Sequence, residues 1–293
     1  MHYKEVKAIL SPQNGMNIYR GCTFGCVYCD ARSKCYRIRH DFDDVEVKEK
    51  ADDMLEKTLK RKRTRGMITT GAMTEPYLPL EEDLRMVRRC LNQIERFEFG
   101  LAIKTKSELI LRDIDILEKI NQKTKCVVSI PLCTADDKLS AKLEPGLAVT
   151  SARVKILKEF RDRGIPTIVW FEPMLPFIVD NEDNISELLA MCEDAGVYGI
   201  MCASIGILLR DGSRDYFFDN LDTHFPGLTE RYQDAFGDVT ELISPENDKL
   251  LTLIHKTCDR AGIVWDREEL TRFMREYKNK TTGEQMSLFD FTS

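Results

Sequence analysis

The chain has 293 residues, is 43% hydrophobic and carries a formal net charge of −6. That length and composition suit one large globular domain with an ample core, and the acidic balance argues against a wholly basic, sequence-blind nucleic-acid coat while leaving room for a local basic groove. The charged N-terminus MHYKEVKAIL lacks a secretory apolar region. No stretch approaches the roughly 18 apolar residues of a bilayer span, so a cytoplasmic protein with no membrane partner is expected.

Apolar runs of strand length fall at 16–20, 67–70, 101–105, 126–132, 167–174 and 198–205. Amphipathic stretches of helical period occupy 45–61, 80–97, 107–120, 151–163 and 184–195. In the second of these, Leu84, Val87, Leu91 and Ile94 form the apolar stripe. The alternation predicts parallel strands joined by right-handed helical crossovers. The expected fold is therefore α/β, a partial (β/α)6 TIM-like barrel with its chemistry at the C-terminal strand ends. Beyond residue 205 the pattern loosens. Residues 214–233 are rich in aromatics and contain the turn Phe225-Pro226-Gly227. Helices expected at 247–261 and 267–277 complete a core spanning 1–278, and the polar segment 279–293 reads as a flexible tail.

Ten cysteines are many for a chain expected in a reducing compartment. Most sit singly in apolar surroundings and read as small buried hydrophobes. Cys22, Cys26 and Cys29 differ: they stand in a C-x3-C-x2-C spacing, in a loop after the first expected strand, with Cys35 close behind. Three thiolates hold three irons of a cubane and leave the fourth iron open to a ligand, whereas an electron-transfer cluster normally takes four protein ligands. The alternative for the same residues is a zinc site completed by Cys35, although zinc favours paired C-x2-C units, often with histidine.

The spacing, with Tyr28 before the last cysteine, resembles the signature of the radical S-adenosylmethionine (SAM) superfamily. The resemblance implies a [4Fe-4S] cluster whose open iron is chelated by SAM, and reductive cleavage of SAM to a 5′-deoxyadenosyl radical that abstracts hydrogen from a substrate. It also implies an electron donor such as a flavodoxin or ferredoxin. Several stretches are similar to the branch related to spore photoproduct lyase, also called DNA repair photolyase-like. They are Met16-Asn-Ile-Tyr-Arg-Gly-Cys22, Met73-Thr74-Glu75-Pro76-Tyr77, Thr105-Lys106-Ser107, Pro173-Met-Leu-Pro176 and Leu209-Arg-Asp-Gly-Ser-Arg214. Together they span about residues 10–278.

By that resemblance Gly71, Met73 and Thr74 meet SAM's amino group, and Lys106 pairs with its carboxylate or with a substrate phosphate. Ser129 and Arg153 bind ribose and carboxylate, and Tyr28 packs near the cluster or the adenine. Glu172, a carboxylate among apolar strand residues, needs a polar ligand or an internal arginine. Cys35 is a candidate hydrogen donor or second-cluster ligand, and Tyr216 a candidate catalytic residue beside the phosphate-gripping arginines Arg210 and Arg214. One departure limits the likeness: Cys29 is followed by Asp30-Ala31-Arg32-Ser33, where the lyase proper carries a leucine-glutamine pair.

Two features point to DNA. Residues 57–65 form a basic run suited to phosphates, or to a solvated helix end. In the tail, Gln285, Leu288 and Phe289 resemble the short peptide that docks bacterial repair proteins on the sliding clamp. The expected activity is a radical SAM reaction in DNA repair or base modification, including carbon-carbon lyase chemistry. Modification of a peptide, an RNA or a small molecule, and a non-enzymatic metal-binding role, are the alternatives.

Overall fold

The computed structural model describes residues 1–280. Gln285, Leu288 and Phe289 lie outside the described residues. Six parallel strands form one sheet in simple sequential order: Gly15–Met16, Met67–Thr70, Gly100–Lys104, Cys126–Pro131, Thr167–Trp170 and Gly199–Met201. Each step is a parallel pairing, from Gly15 opposite Thr69 to Trp170 opposite Met201. Intervening helices cover the outer face, as βα units demand. This is the expected partial barrel.

Side-chain period sorts the two faces. On the outer face Ile68, Ile103, Val128, Ile130, Val169 and Ile200 join the main core with the crossover helices. On the concave face Met67, Ala102, Val127, Ile168 and Met201, one from each of five strands, pack against Leu270. Leu270 belongs to the last helix, Arg267–Arg275, which therefore plugs the floor of the barrel. Further up the same face, Gly71, Lys104, Pro131 and Glu172 open into a cavity at the strands' C-terminal ends. A second core holds Val27, Tyr28, Leu175, Phe217 and Tyr232, and fixes the cluster loop to the C-terminal helices Ser213–His224 and Leu228–Phe236.

Several sequence expectations are corrected. The run 16–20 splits: Gly15–Met16 enters the barrel sheet, and Tyr19–Arg20 pairs instead with Glu46–Lys48 in a small side sheet that also holds His2–Lys4. The helix expected at 45–61 begins only at Ala51. Val45-Glu46-Val47 alternates as a strand does, and Lys50 takes a left-handed turn with φ 53 before the helix starts. The helix expected at 80–97 breaks at Arg85, φ 49, into Glu81–Leu84 and Met86–Arg96. Residues 198–205 give only a short barrel strand; Gly206–Leu208 follows and pairs antiparallel with Glu241–Ile243, beyond the two intervening helices. Helix Asp137–Leu143 was not expected. At the far end Lys280 still donates its backbone N–H to Lys123, so packing continues past residue 278.

The basic run 57–65 lies at the wrong end for the cavity. Helix Ala51–Arg61 runs antiparallel to the strand Met67–Thr70, so its C-terminus lies beside the strand's start, opposite Gly71. Among the described residues no helix is long and apolar enough to cross a membrane.

Leu270 is fully buried beneath the cavity. Leu270→Ala is expected to lower unfolding free energy by about 2–5 kcal/mol in urea titration, the range for a core leucine that leaves an unfilled space.

Candidate active site

The cluster loop is built by three local constraints. Gly21, φ 93, turns the chain where any Cβ would lie 2.4 Å from the Phe42 carbonyl, and Cys22 donates its N–H to that carbonyl at 2.9 Å. Val27 donates to Leu143 at 3.0 Å. Phe24 enters the main core while Val27 and Tyr28 enter the second, which leaves Cys22, Cys26 and Cys29 on the cavity wall. Burial pushes all three thiols up, Cys22 to about 12 and Cys26 to about 11. They are poor thiolates unless a metal supplies the missing positive charge. Three thiols side by side on the wall of a cavity that has room for a further ligand suit three irons of a cubane whose fourth iron is left open.

Beneath the loop lies a buried charge network. Lys106, just past the third barrel strand, sends its ammonium to Glu144 Oε1 at 2.7 Å and to the Tyr28 hydroxyl at 2.8 Å, with Cys26 Sγ at 4.0 Å. Tyr28 donates its hydroxyl to Glu144. Arg153 reaches Glu144 Oε2 at 2.6 Å and donates to the Pro131 carbonyl at 2.9 Å. Burial opposes ionisation of Glu144, yet Lys106 and Arg153 outweigh it and hold the carboxyl down at about 2. Burial alone would lower Lys106; Cys26 and Glu144 reverse the sign and keep the amine protonated.

The opposite wall is the loop after the second strand. Gly71, φ 87, brings its backbone so close that a Cβ would stand 1.9 Å from the Lys104 carbonyl. The loop is then clamped to the third strand by Glu75, which accepts from the Thr105 hydroxyl and from the backbone N–H of Lys106 and of Tyr77, both at 3.0 Å. Gly71, Met73, Thr74 and Glu75 all line the cavity. Across from them Lys104 lies 3.5 Å above the Trp170 ring, and Glu172 is the carboxylate that faces it. Burial lowers Lys104 to about 8, with Glu172 opposing. Burial also raises Glu172, with Lys104 opposing. The cavity encloses about 430 Å3.

Tyr28, Gly71, Met73, Thr74, Lys106 and Glu172 thus share this cavity with the three cysteines. Four candidates do not line it. Ser129 faces the concave side one step short of the strand end, where Met274 covers it at 3.9 Å. Arg153 is fully buried behind Pro131 and pairs with Glu144, while the arginine that acts on Glu172 is Arg267. Tyr216 packs its ring under Arg32 at 4.0 Å and donates to the Gly25 carbonyl at 3.2 Å, so it supports the cluster loop from outside. Cys35 is exposed on the short helix Lys34–Tyr36; its neighbour Tyr36 is the one that reaches the cavity. The expected phosphate grips are also engaged: Arg210 binds Asp30 at 2.6 and 2.7 Å, and Arg214 donates to the Val239 carbonyl.

The sequence reading missed Lys104, Glu75 and Glu144 as site builders. Lys104 carried a usable signal, a lysine two residues beyond Ala102 on the concave face. Glu144 carried none, because its partners Lys106 and Tyr28 are remote in sequence.

Glu144→Gln leaves Arg153 buried without its counter-ion and is expected to cost about 3–5 kcal/mol in chemical denaturation. The Glu144 carboxyl is held at about 2 against an ordinary 4.5. Its contribution is therefore complete above pH 4.5 and is lost as pH falls through 2, so the gap between wild type and variant should narrow on acidification across that window.

Residues 16–192 match the Radical SAM superfamily. An uncharacterized protein of Mycobacterium tuberculosis is 28% identical over 227 residues, 75% of this chain and 66% of that protein. One of Methanocaldococcus jannaschii is 30% identical over 174 residues, 59% of this chain and 64% of that protein. A radical SAM Nalpha-GlyT isomerase of Pseudomonas phage M6 is 28% identical over 165 residues, 55% of this chain and 33% of that enzyme. The chain thus spans just under two thirds, or less, of these relatives' lengths. In three dimensions it is similar to a spore photoproduct lyase mutant with bound AdoMet and dinucleoside spore photoproduct, with TM-score 0.55, 13% identity, and coverage of 88% of this chain and 77% of that one. A second mutant of the same lyase gives TM-score 0.56 at 14% identity, covering 89% and 76%. At such identities the likeness establishes the fold. The triad loop, the partial barrel and the family match together show that the chain belongs to the radical SAM superfamily, whose cofactors are a [4Fe-4S] cluster and SAM.

Proposed function

We propose that this radical SAM enzyme abstracts hydrogen from a nucleotide substrate, in repair or modification of a DNA base. The observation that carries the reading is the make-up of the cavity: Phe24, Tyr36 and Phe42 supply aromatic surface in the same space as the three thiols, with the Lys104 ammonium on the facing strand. Aromatic faces and cations are how single bases are held without a duplex reader. Support also comes from fold likeness to a lyase solved with a dinucleoside photoproduct, and from kinship with the phage isomerase.

In this reading Cys22, Cys26 and Cys29 hold three irons of the cluster. When bound, cluster and SAM supply a 5′-deoxyadenosyl radical, with the electron coming from a flavodoxin or ferredoxin. The chain's own work is positioning. Lys106, kept protonated between Glu144 and Cys26, receives the SAM carboxylate. The backbone from Gly71 to Thr74 receives its amino group, and Glu172 a sugar or amine. Arg153 and Ser129 act one layer away, by fixing Lys106 and the concave wall. Cys35 and Tyr216 stand outside the cavity lining, so in this reading carbon-carbon lyase chemistry would draw on another hydrogen donor.

A second reading, a peptide or small-molecule substrate, is favoured by charge placement: residues 57–65 lie away from the cavity, and Arg210 and Arg214 are engaged internally. Anaerobically reconstituted protein with dithionite and SAM should form 5′-deoxyadenosine, and Cys26→Ala, which removes one of three cluster ligands, should lower this to the level of the protein without iron. Oligonucleotides carrying modified bases should stimulate formation more than RNA or peptide pools; stimulation by peptides alone would replace the first reading with the second. For the tail we propose docking on a bacterial sliding clamp, which Leu288→Ala with Phe289→Ala should abolish in a pull-down with purified clamp.

A further inference from the structure

Behind the cluster loop, on the small side sheet, the structure places a second set of metal-ligating side chains. Ligand atoms of His2, His40 and Glu46 all lie within 4.8 Å of one another. We infer that these three residues form a binding site for a divalent transition ion of the zinc class, separate from the cluster.

The hydrogen bonds around the two imidazoles set their tautomers. His40 Nδ1 lies 2.8 Å from the Asp41 carbonyl, which only accepts, so Nδ1 carries the proton. His2 Nδ1 lies 2.8 Å from Asp44 Oδ2, a carboxylate that likewise accepts. In the neutral ring each Nε2 is then left with its lone pair. An imidazole whose far nitrogen is tied to a carbonyl or carboxylate is the usual outer-sphere arrangement of a metal-bound histidine. His40 Nε2 is buried and has no hydrogen-bond partner; the nearest acid oxygen, Glu46 Oε2, stands at 3.9 Å. That spacing is too long for a hydrogen bond. It is close to the roughly 3.4 Å that ligands about 2.0–2.1 Å from a tetrahedral ion keep between themselves. The two rings meet edge to face with centroids 4.9 Å apart, and a nitrogen of each lies within 4.8 Å of the other and of a Glu46 oxygen.

Glu46 is nearly fully buried, its side chain 3% exposed, and its present cation is Lys4 at 2.8 Å. The Lys4 side chain is 55% exposed and can swing to water at little cost, ceding the carboxylate to an ion. Two imidazoles and one carboxylate leave a coordination position for water. The site bridges the strands His2–Lys4 and Glu46–Lys48 to the segment 40–42, whose Phe42 carbonyl holds Cys22 and whose ring lines the cavity. A bound ion would therefore brace the backbone that presents the first cluster cysteine.

The test uses the full chain with its cluster reconstituted, so that the thiols are occupied. Zn(II) is titrated against a chromophoric chelator, and the loaded protein is examined by zinc-edge X-ray absorption. Expected are one zinc per chain and nitrogen and oxygen neighbours at about 2.0–2.2 Å without sulfur. His40→Ala should weaken zinc binding about tenfold or more while iron content and the circular dichroism spectrum stay unchanged. His2→Ala, which removes a more exposed ring, should do the same and serves if His40→Ala misfolds. Absence of zinc binding by the cluster-loaded chain, sulfur neighbours at about 2.3 Å, or equal affinity in wild type and both variants would overturn the assignment.

Discussion

The site depends on one buried carboxylate. Glu144 takes an ammonium, a guanidinium and a phenol at once, and each of these holds a different part of the structure: Lys106 the third strand's end, Arg153 the outer helix and the Pro131 carbonyl, Tyr28 the cluster loop. Isolated burial of any of these charges would be prohibitive, and together they are tolerable. The sum is not neutral. Two cations face one anion, and the Tyr28 phenol is kept un-ionised by burial. Of the two cations, Lys106 is the one beside Cys26. A protein that buries excess positive charge there is arranged for negative charge arriving in the cavity, whether on thiolates, cluster or the carboxylate of SAM.

The facing wall works by backbone proximity. Gly71 lets the second strand's end lie against the Lys104 carbonyl, and Glu75 ties the loop beyond it to Thr105, Lys106 and Tyr77. Lys106 is thus fixed twice, through its amide by Glu75 and through its ammonium by Glu144. Both walls converge on the same residue, so cluster loop and cofactor loop cannot shift independently.

How much of this was legible in the sequence depends on the range of the interactions. The three cysteines were legible because their spacing lies within one loop, and the barrel because each strand carries its own period. Glu172 was legible because an acid in an apolar strand demands a partner; the foremost cation is Lys104, two strands away, and an arginine, Arg267, contributes less. Ser129 shares the correct face and fails on depth, since period gives the side of a strand and not the layer. Val45-Glu46-Val47 carries a strand's alternation, but three residues are too few to separate it from the helical stretch that follows, and its pairing partners, His2–Lys4 and Tyr19–Arg20, are distant in the chain.

The mouth of the cavity carries a further constraint on substrates. Asp30, directly after the last cysteine, is held by Arg210 and by the Tyr36 hydroxyl, while Arg32 is sandwiched between the rings of Phe42 and Tyr216. The residues that depart from the lyase proper, Asp30 to Ser33, are therefore the ones that bind the cluster loop to the C-terminal helices; Ser33 completes the set through Ser213 at 3.1 Å. With those arginines spent on internal bonds, phosphate has few free cations to meet at the rim. Under the proposed function, recognition would fall to the aromatic wall and to Lys104, whose amine, lowered by burial to about 8, gives up its charge more readily than an exposed lysine. On the proposed reading such a surface would select by stacking and hydrogen bonding more than by charge, as a base turned out of its strand requires.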